Sequence, residues 1–140
     1  MITLHMRHVA SNPDETRSIA SEFARNLPTG TVLSLVGDLG AGKTEFVKGV
    51  AIGLGFRGEV TSPTFTILHE YRGGHLPLFH MDFYRIRDER ELDEIGLDDY
   101  LKAEGVCAVE WGDKFRDRLP ADSFEIRLAI IDSDKREIVW

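Results

Sequence analysis

The stretch Gly37-Asp38-Leu39-Gly40-Ala41-Gly42-Lys43-Thr44 decides how the rest of the chain is read. It fits the pattern of a P-loop in full: glycine, four free positions, glycine, lysine, then serine or threonine. The glycines let the backbone curl, so that successive N–H groups point inward at phosphate oxygens. A helix opening at Lys43 adds its positive N-terminal end to the same spot. Lys43 reaches the β and γ phosphates as a point charge, and the Thr44 hydroxyl is suited to ligate a bridging magnesium. With this chain's frequencies of Gly, Lys and Ser/Thr, a chance match is expected in on the order of 0.5% of such sequences.

The flanks supply the context that the motif needs. Before it, Val32, Leu33, Leu35 and Val36 form a short apolar run that reads as a buried strand. After it, Phe46, Val47, Val50, Ala51 and Leu54 recur at helical spacing, with Gly53 and Gly55 as the stop. Upstream, Asn12, Pro13 and Glu15 read as N-cap, first helical residue and capping-box partner of a helix running to Leu27. Residues 65–71 alternate and, across Gly73-Gly74, pair with residues 76–82 as a hairpin. Residues 88–101 are helical in composition, with a break at Gly96. Residues 106–110 are a second buried strand, and residues 113–119 a helical turn stopped by Pro120. Residues 124–130 alternate and join residues 138–140 in a last hairpin. The pattern predicts one α/β domain over residues 1–140: a P-loop NTPase-like, three-layer arrangement with helices on both faces of a mixed parallel and antiparallel sheet.

Composition agrees. The chain has 140 residues, 42% apolar and 29% charged, enough for one core and too apolar for disorder. Its single cysteine, Cys107, excludes an internal disulfide framework and suits a reducing, cytoplasmic setting. No run approaches the ~18 apolar residues of a membrane span, and the N-terminus lacks a signal peptide's apolar region. The net charge of −7 sits mostly in residues 88–99, which hold seven acidic residues and only Arg90 as a base. The remainder is near neutral, so no broad basic face for nucleic acid is visible. The acidic segment reads first as a solvated helix and second as a docking face for a basic partner.

A P-loop site also needs a carboxylate near its magnesium, at the end of a neighbouring strand. Asp82 and Glu110 each close an apolar run and are the candidates. Thr61, Ser62 and Thr64 surround Pro63 in a loop after the P-loop helix, where a hydroxyl can sense a γ phosphate. His69, His75 and His80 match no standard zinc spacing and read as strand or loop residues. The base-reading Asn-Lys-x-Asp motif of Ras-type GTPases is missing, since Asn12 and Asn26 both precede the P-loop. That favours ATP.

The P-loop, Thr61-Ser-Pro-Thr-Phe65, His80-Met-Asp-Phe-Tyr-Arg85, Glu91-Leu-Asp-Glu-Ile-Gly96 and Val109-Glu-Trp111 together resemble the TsaE (YjeE) family. The blocks fall in that family's order. The resemblance implies a small bacterial ATPase needed for threonylcarbamoyl modification of the adenosine next to the anticodon in tRNA. It implies ATP and magnesium as cofactors and the TsaD–TsaB complex as partner, with tRNA met only indirectly and no membrane. It assigns ATP contacts to Gly40, Ala41, Gly42, Lys43, Thr44 and Glu45, puts Trp111 beside them and brings Glu15 near the nucleotide. Thr44, Glu110 and Asp82 are its magnesium residues, with Asp82 in the Walker B-like position. Lys43, Asp82 and Thr64 carry the catalytic parts. Glu45 departs from the family, where many members have a small or hydroxyl residue. Two other readings stay open on sequence alone: a small P-loop kinase, and a module that holds nucleotide without turning it over.

Overall fold

The computed structural model describes residues 6–60 and 67–140. In chain order the elements are β1 (Arg7–Ala10), α1 (Pro13–Ala24), β2 (Val32–Val36), α2 (Lys43–Gly53), β3 (Leu68–Tyr71) and β4 (Leu78–Asp82). There follow α3 (Glu89–Ile95), α4 (Leu97–Lys102), β5 (Val106–Glu110), a 3-10 segment (Gly112–Arg118), β6 (Phe124–Ile130) and β7 (Arg136–Val139). The strands form one seven-stranded sheet in the order β1-β7-β6-β2-β5-β4-β3. Its centre is parallel: β4 pairs with β5, β5 with β2, and β2 with β6. The flanking pairs β3–β4, β6–β7 and β1–β7 are antiparallel.

The central strands are short unbroken apolar runs because they are covered on both faces. In β5 all of Val106, Cys107, Ala108, Val109 and Glu110 are buried. Val106 and Ala108 pack with Leu33, Leu35, Phe46 and Val50 beneath α1 and α2. Cys107 and Val109 point the other way, into a layer with Phe79, Met81, Phe83, Leu92 and Leu97. Two cores on one sheet make the predicted three layers. The Cys107 thiol donates to the Tyr100 carbonyl at 3.3 Å, and burial pushes its pKa up to about 12.

Helices α1 and α2 touch backbone to backbone. A Cβ on Gly49 would stand 2.3 Å from the Arg17 carbonyl oxygen and 2.5 Å from Ala20 Cβ. Gly53 is equally tight, 2.4 Å from the Ser21 carbonyl oxygen. Gly53 therefore serves helix packing as well as ending α2, and Gly55, whose φ is +89°, completes the stop. The α1 cap forms as expected at Asn12, whose side chain accepts from the Glu15 N–H at 2.9 Å. The Glu15 carboxylate reaches one residue further back than a standard capping box, to the Ser11 N–H. Strand β1 was not expected. Its four residues mix charged and apolar types, and only pairing with β7, in register Arg7↔Val139, makes it a strand. Among the described residues no helix is long and apolar enough to cross a membrane.

Parallel pairing brings the C-terminal ends of β2, β5 and β4 to one edge of the sheet. Leu35 stands beside Glu110, and Glu110 beside Asp82. The P-loop leaves β2 at that edge. Gly49→Ala is expected to destabilise the chain by about 2 kcal/mol, because backbone carbonyls cannot yield to the new methyl. Urea unfolding should show a lower midpoint at unchanged slope.

Candidate functional site

The P-loop turns on two glycines in left-handed backbone, Gly40 at φ +80° and Gly42 at φ +99°. Gly42 caps α2, and its carbonyl accepts the Phe46 N–H at 2.9 Å, which starts the helix. Inside the loop the Ala41 N–H donates to the Asp38 carbonyl at 3.0 Å. Lys43, only 5% exposed, folds back on the loop. Its ammonium donates to the carbonyls of Gly37 and Asp38 and lies 4.3 Å from the centre of the Trp111 ring. Burial pulls its pKa down, opposed by Glu110, Asp82, Asp38 and Asp113. Trp111 is the one non-glycine with positive φ (60°) among the described residues. Backbone strain of this kind gathers at sites that need a side chain in a fixed place. Tyr84 packs against the Trp111 ring, with centroids 5.1 Å apart.

The foot of the loop carries the polar core of the site. The Thr44 hydroxyl donates to the Glu110 carboxylate, with both oxygens at 3.1 Å. Glu110 is 4% exposed, and its Oε2 also meets His80 Nε2 at 2.6 Å. Asp82 ends the adjacent strand and accepts the Tyr84 N–H at 2.9 Å. Burial pushes the Asp82 pKa up and the nearby Glu110 charge adds to that, while the Tyr84 N–H, His80 and Lys43 oppose it.

Most of the predicted site residues converge. Gly40, Gly42, Lys43, Thr44, Glu45, Asp82, Glu110 and Trp111 line one cleft of about 310 Å³. Ala41 is buried within the loop itself. Glu45, the family departure, is neutralised from outside: Arg17 and Lys48 both pair with its carboxylate. Glu15 is not on the cleft wall. Its carboxylate is spent on the α1 cap, while Pro13 and Thr16 of the same turn line an adjoining recess with Gly40, Glu45 and Arg136. Thr61, Ser62 and Thr64 lie outside the described residues. In the acidic segment, Glu91 accepts the N–H groups of Arg87 and Asp88 as the α3 cap, and Asp93 pairs with Arg118 at 2.7 Å. Part of that charge is therefore structural.

His80 is the residue that sequence reading passed over. Its histidine spacing matches no zinc pattern, but it stands two residues before Asp82 on one strand and so on the same face. That alternation was the available signal.

The residues present fit phosphates with a magnesium ion. The donors are hard oxygens, a hydroxyl and carboxylates, as magnesium prefers, and one or two carboxylates plus substrate phosphates are its usual set. The Thr44 hydroxyl donates its hydrogen bond to Glu110, which leaves the oxygen lone pairs for a cation.

A strand–glycine loop–helix unit at the C-terminal end of the central strand of a doubly covered, mixed sheet with a parallel centre defines a P-loop NTPase-like α/β protein. A crystal structure of Bacillus subtilis YdiB has the same fold, with a TM-score of 0.84 at 42% identity over 99% of this chain and 86% of that one. The family model described as "Threonylcarbamoyl adenosine biosynthesis protein TsaE" matches residues 10–138. The tRNA threonylcarbamoyladenosine biosynthesis protein TsaE of Bacillus subtilis is 50% identical over 129 residues, covering 92% of this chain and 80% of the relative. The protein of that name from Treponema pallidum is 41% identical over 133 residues, covering 95% and 98%. The chain belongs to the TsaE family, whose role lies in the biosynthesis of threonylcarbamoyladenosine in tRNA.

The raised Asp82 pKa has a consequence for stability. The folded carboxyl holds its proton more tightly than the unfolded one, so the ligand-free protein loses stability as pH rises through the folded value. Asp82→Asn keeps an oxygen for the Tyr84 N–H and removes that loss. In thermal melts with chelator, the variant should melt above the wild type near neutral pH. The difference should close as pH falls toward 3.8, the ordinary Asp value. A variant that melts lower throughout counts against the argument.

Proposed function

We propose that this chain is a magnesium-dependent ATPase that acts as a switch on the TsaD–TsaB complex and does not itself transfer the threonylcarbamoyl group. The observation that carries the reading is the Thr44 hydroxyl held on Glu110 at the foot of the glycine loop, with Lys43 and Asp82 on the same cleft.

Each residue has a part to play. The N–H groups of the loop and of the first turn of α2 hold the phosphates. Lys43 exchanges the Gly37 and Asp38 carbonyls for β- and γ-phosphate oxygens. Magnesium, when bound, neutralises charge developing between those phosphates. Thr44, Glu110 and Asp82 are the residues that would hold it. Asp82, whose pKa burial pushes up, would orient the attacking water and take its proton. Trp111 walls the cleft and fixes the resting place of Lys43. Thr64 is proposed as the γ-phosphate sensor on its sequence position alone. Loss of the γ phosphate then changes the loop contacts, and the partner reads that change. The tRNA is reached through the complex. Such a cycle in the cytoplasm needs no membrane contact.

Phosphate release from ATP tests this. The rate should rise strongly when TsaD–TsaB is added and vanish with a magnesium chelator. It should fall about 100-fold or more in Lys43→Ala, the size expected when one charge-stabilising donor is lost. Equal rates with and without the partner complex overturn the switch reading.

A further inference from the structure

Glu110 receives hydrogen bonds from two sides, and only one of them belongs to the P-loop. The Thr44 hydroxyl is equidistant from both carboxylate oxygens, so it does not choose between them. His80 does choose. Its Nε2 lies 2.6 Å from Oε2. An ionised carboxylate only accepts, so Nε2 carries the proton in this bond.

The other ring nitrogen, Nδ1, makes no hydrogen bond among the described residues. The ring is fully buried, and Tyr71 packs near it with centroids 6.4 Å apart. A buried imidazole with a single polar contact has that contact as its one directional constraint. Register reinforces the geometry. β4 and β5 pair with His80 opposite Ala108 and Asp82 opposite Glu110, so ring and carboxylate ride on neighbouring parallel strands.

A polar pair in a core is not needed for stability, since apolar side chains of similar volume often serve as well there. What the bond adds is orientation. Fixing Oε2 leaves Oε1, met among the described residues only by the shared Thr44 hydroxyl, as the less committed oxygen of a side chain that lines the cleft. Carboxylates that ligate metals are themselves commonly held by such hydrogen bonds.

We propose that His80 is a positioning residue, which pins Glu110 Oε2 so that Oε1 is presented to a magnesium ion beside Thr44. The proposal rests on the metal role of Glu110 given above. His80 makes its hydrogen bond to Glu110 and does its positioning through that bond, while its ring also lies near enough to Asp82 to oppose the rise of that carboxyl's pKa.

Two amides of different reach test it. Gln at position 80 carries an N–H donor about as far as Nε2; Asn falls short of Glu110. The readout is binding of a fluorescent ATP analogue to the chain alone, titrated with magnesium chloride. Unliganded melting temperatures follow folding. His80→Asn should raise the half-saturating magnesium concentration about tenfold, and His80→Gln should stay within about threefold of the wild type. At saturating magnesium the two should bind the analogue alike. Equal midpoints in Asn and Gln variants, whether shifted or not, overturn the proposal, and lowered melting temperatures in both would mark His80 as a core residue only. Glu110→Gln separates the two levels. If it raises the midpoint while the His80 pair does not differ, only the role of His80 falls. If it leaves the midpoint unmoved, the metal reading of Glu110 falls, and this inference with it.

Discussion

The contact between Thr44 and Glu110 ties the molecule together. It joins the first turn of α2 to the last residue of β5, two elements 66 positions apart in the chain. It exists because β2 and β5 are parallel neighbours in register, so that the loop leaving β2 opens over the end of β5. A slip of one residue would turn Glu110 to the opposite face and leave the hydroxyl without its carboxylate. Every other member of the cleft is placed relative to this pair. Lys43 precedes Thr44, Trp111 follows Glu110, and Asp82 lies across the strand from Glu110.

The site works against the stability of the fold around it. A buried ammonium, two carboxylates and an imidazole crowd the ends of three strands. Burial disfavours both the Lys43 charge and the Asp82 charge, and each is only partly offset by its neighbours. Such groups are expensive without counter-charges. An anionic ligand with a divalent cation would supply those counter-charges and stabilise the folded form by mass action. The P-loop helix is seated independently of the charged site, through the glycine contacts that let α2 lie backbone to backbone on α1.

Much of this was legible in sequence, for identifiable reasons. The P-loop is local, and eight residues suffice to state its geometry. Strands β2 and β5 announce themselves as apolar runs, and their ends locate Glu110 and Asp82. The break at Gly96 lies where its left-handed backbone requires it, at φ +79°. What escaped depends on contacts distant in sequence. β1 is a strand only through β7. Glu15 suits both a cap and a ligand, and the structure commits its carboxylate to the Ser11 N–H. His80 carries no spacing signal, because its partner is a single carboxylate thirty residues away. Gly53 does end α2, but its packing role is invisible in sequence, which cannot show the carbonyl of Ser21 2.4 Å from its missing Cβ.

Cys107, the second residue of β5, has one more implication. It is the only thiol in the chain, it is 3% exposed, and burial keeps it protonated at any ordinary pH. Thiol reagents attack the thiolate, so the native protein should be inert to them. Reaction at Cys107 requires the central sheet to open, and its rate under mild alkylation is a clock for that opening. The same silence leaves the surface blank for labelling. One cysteine introduced on an exposed loop would carry a dye or spin probe without background, and the interior thiol would meanwhile report whether the label had disturbed the fold.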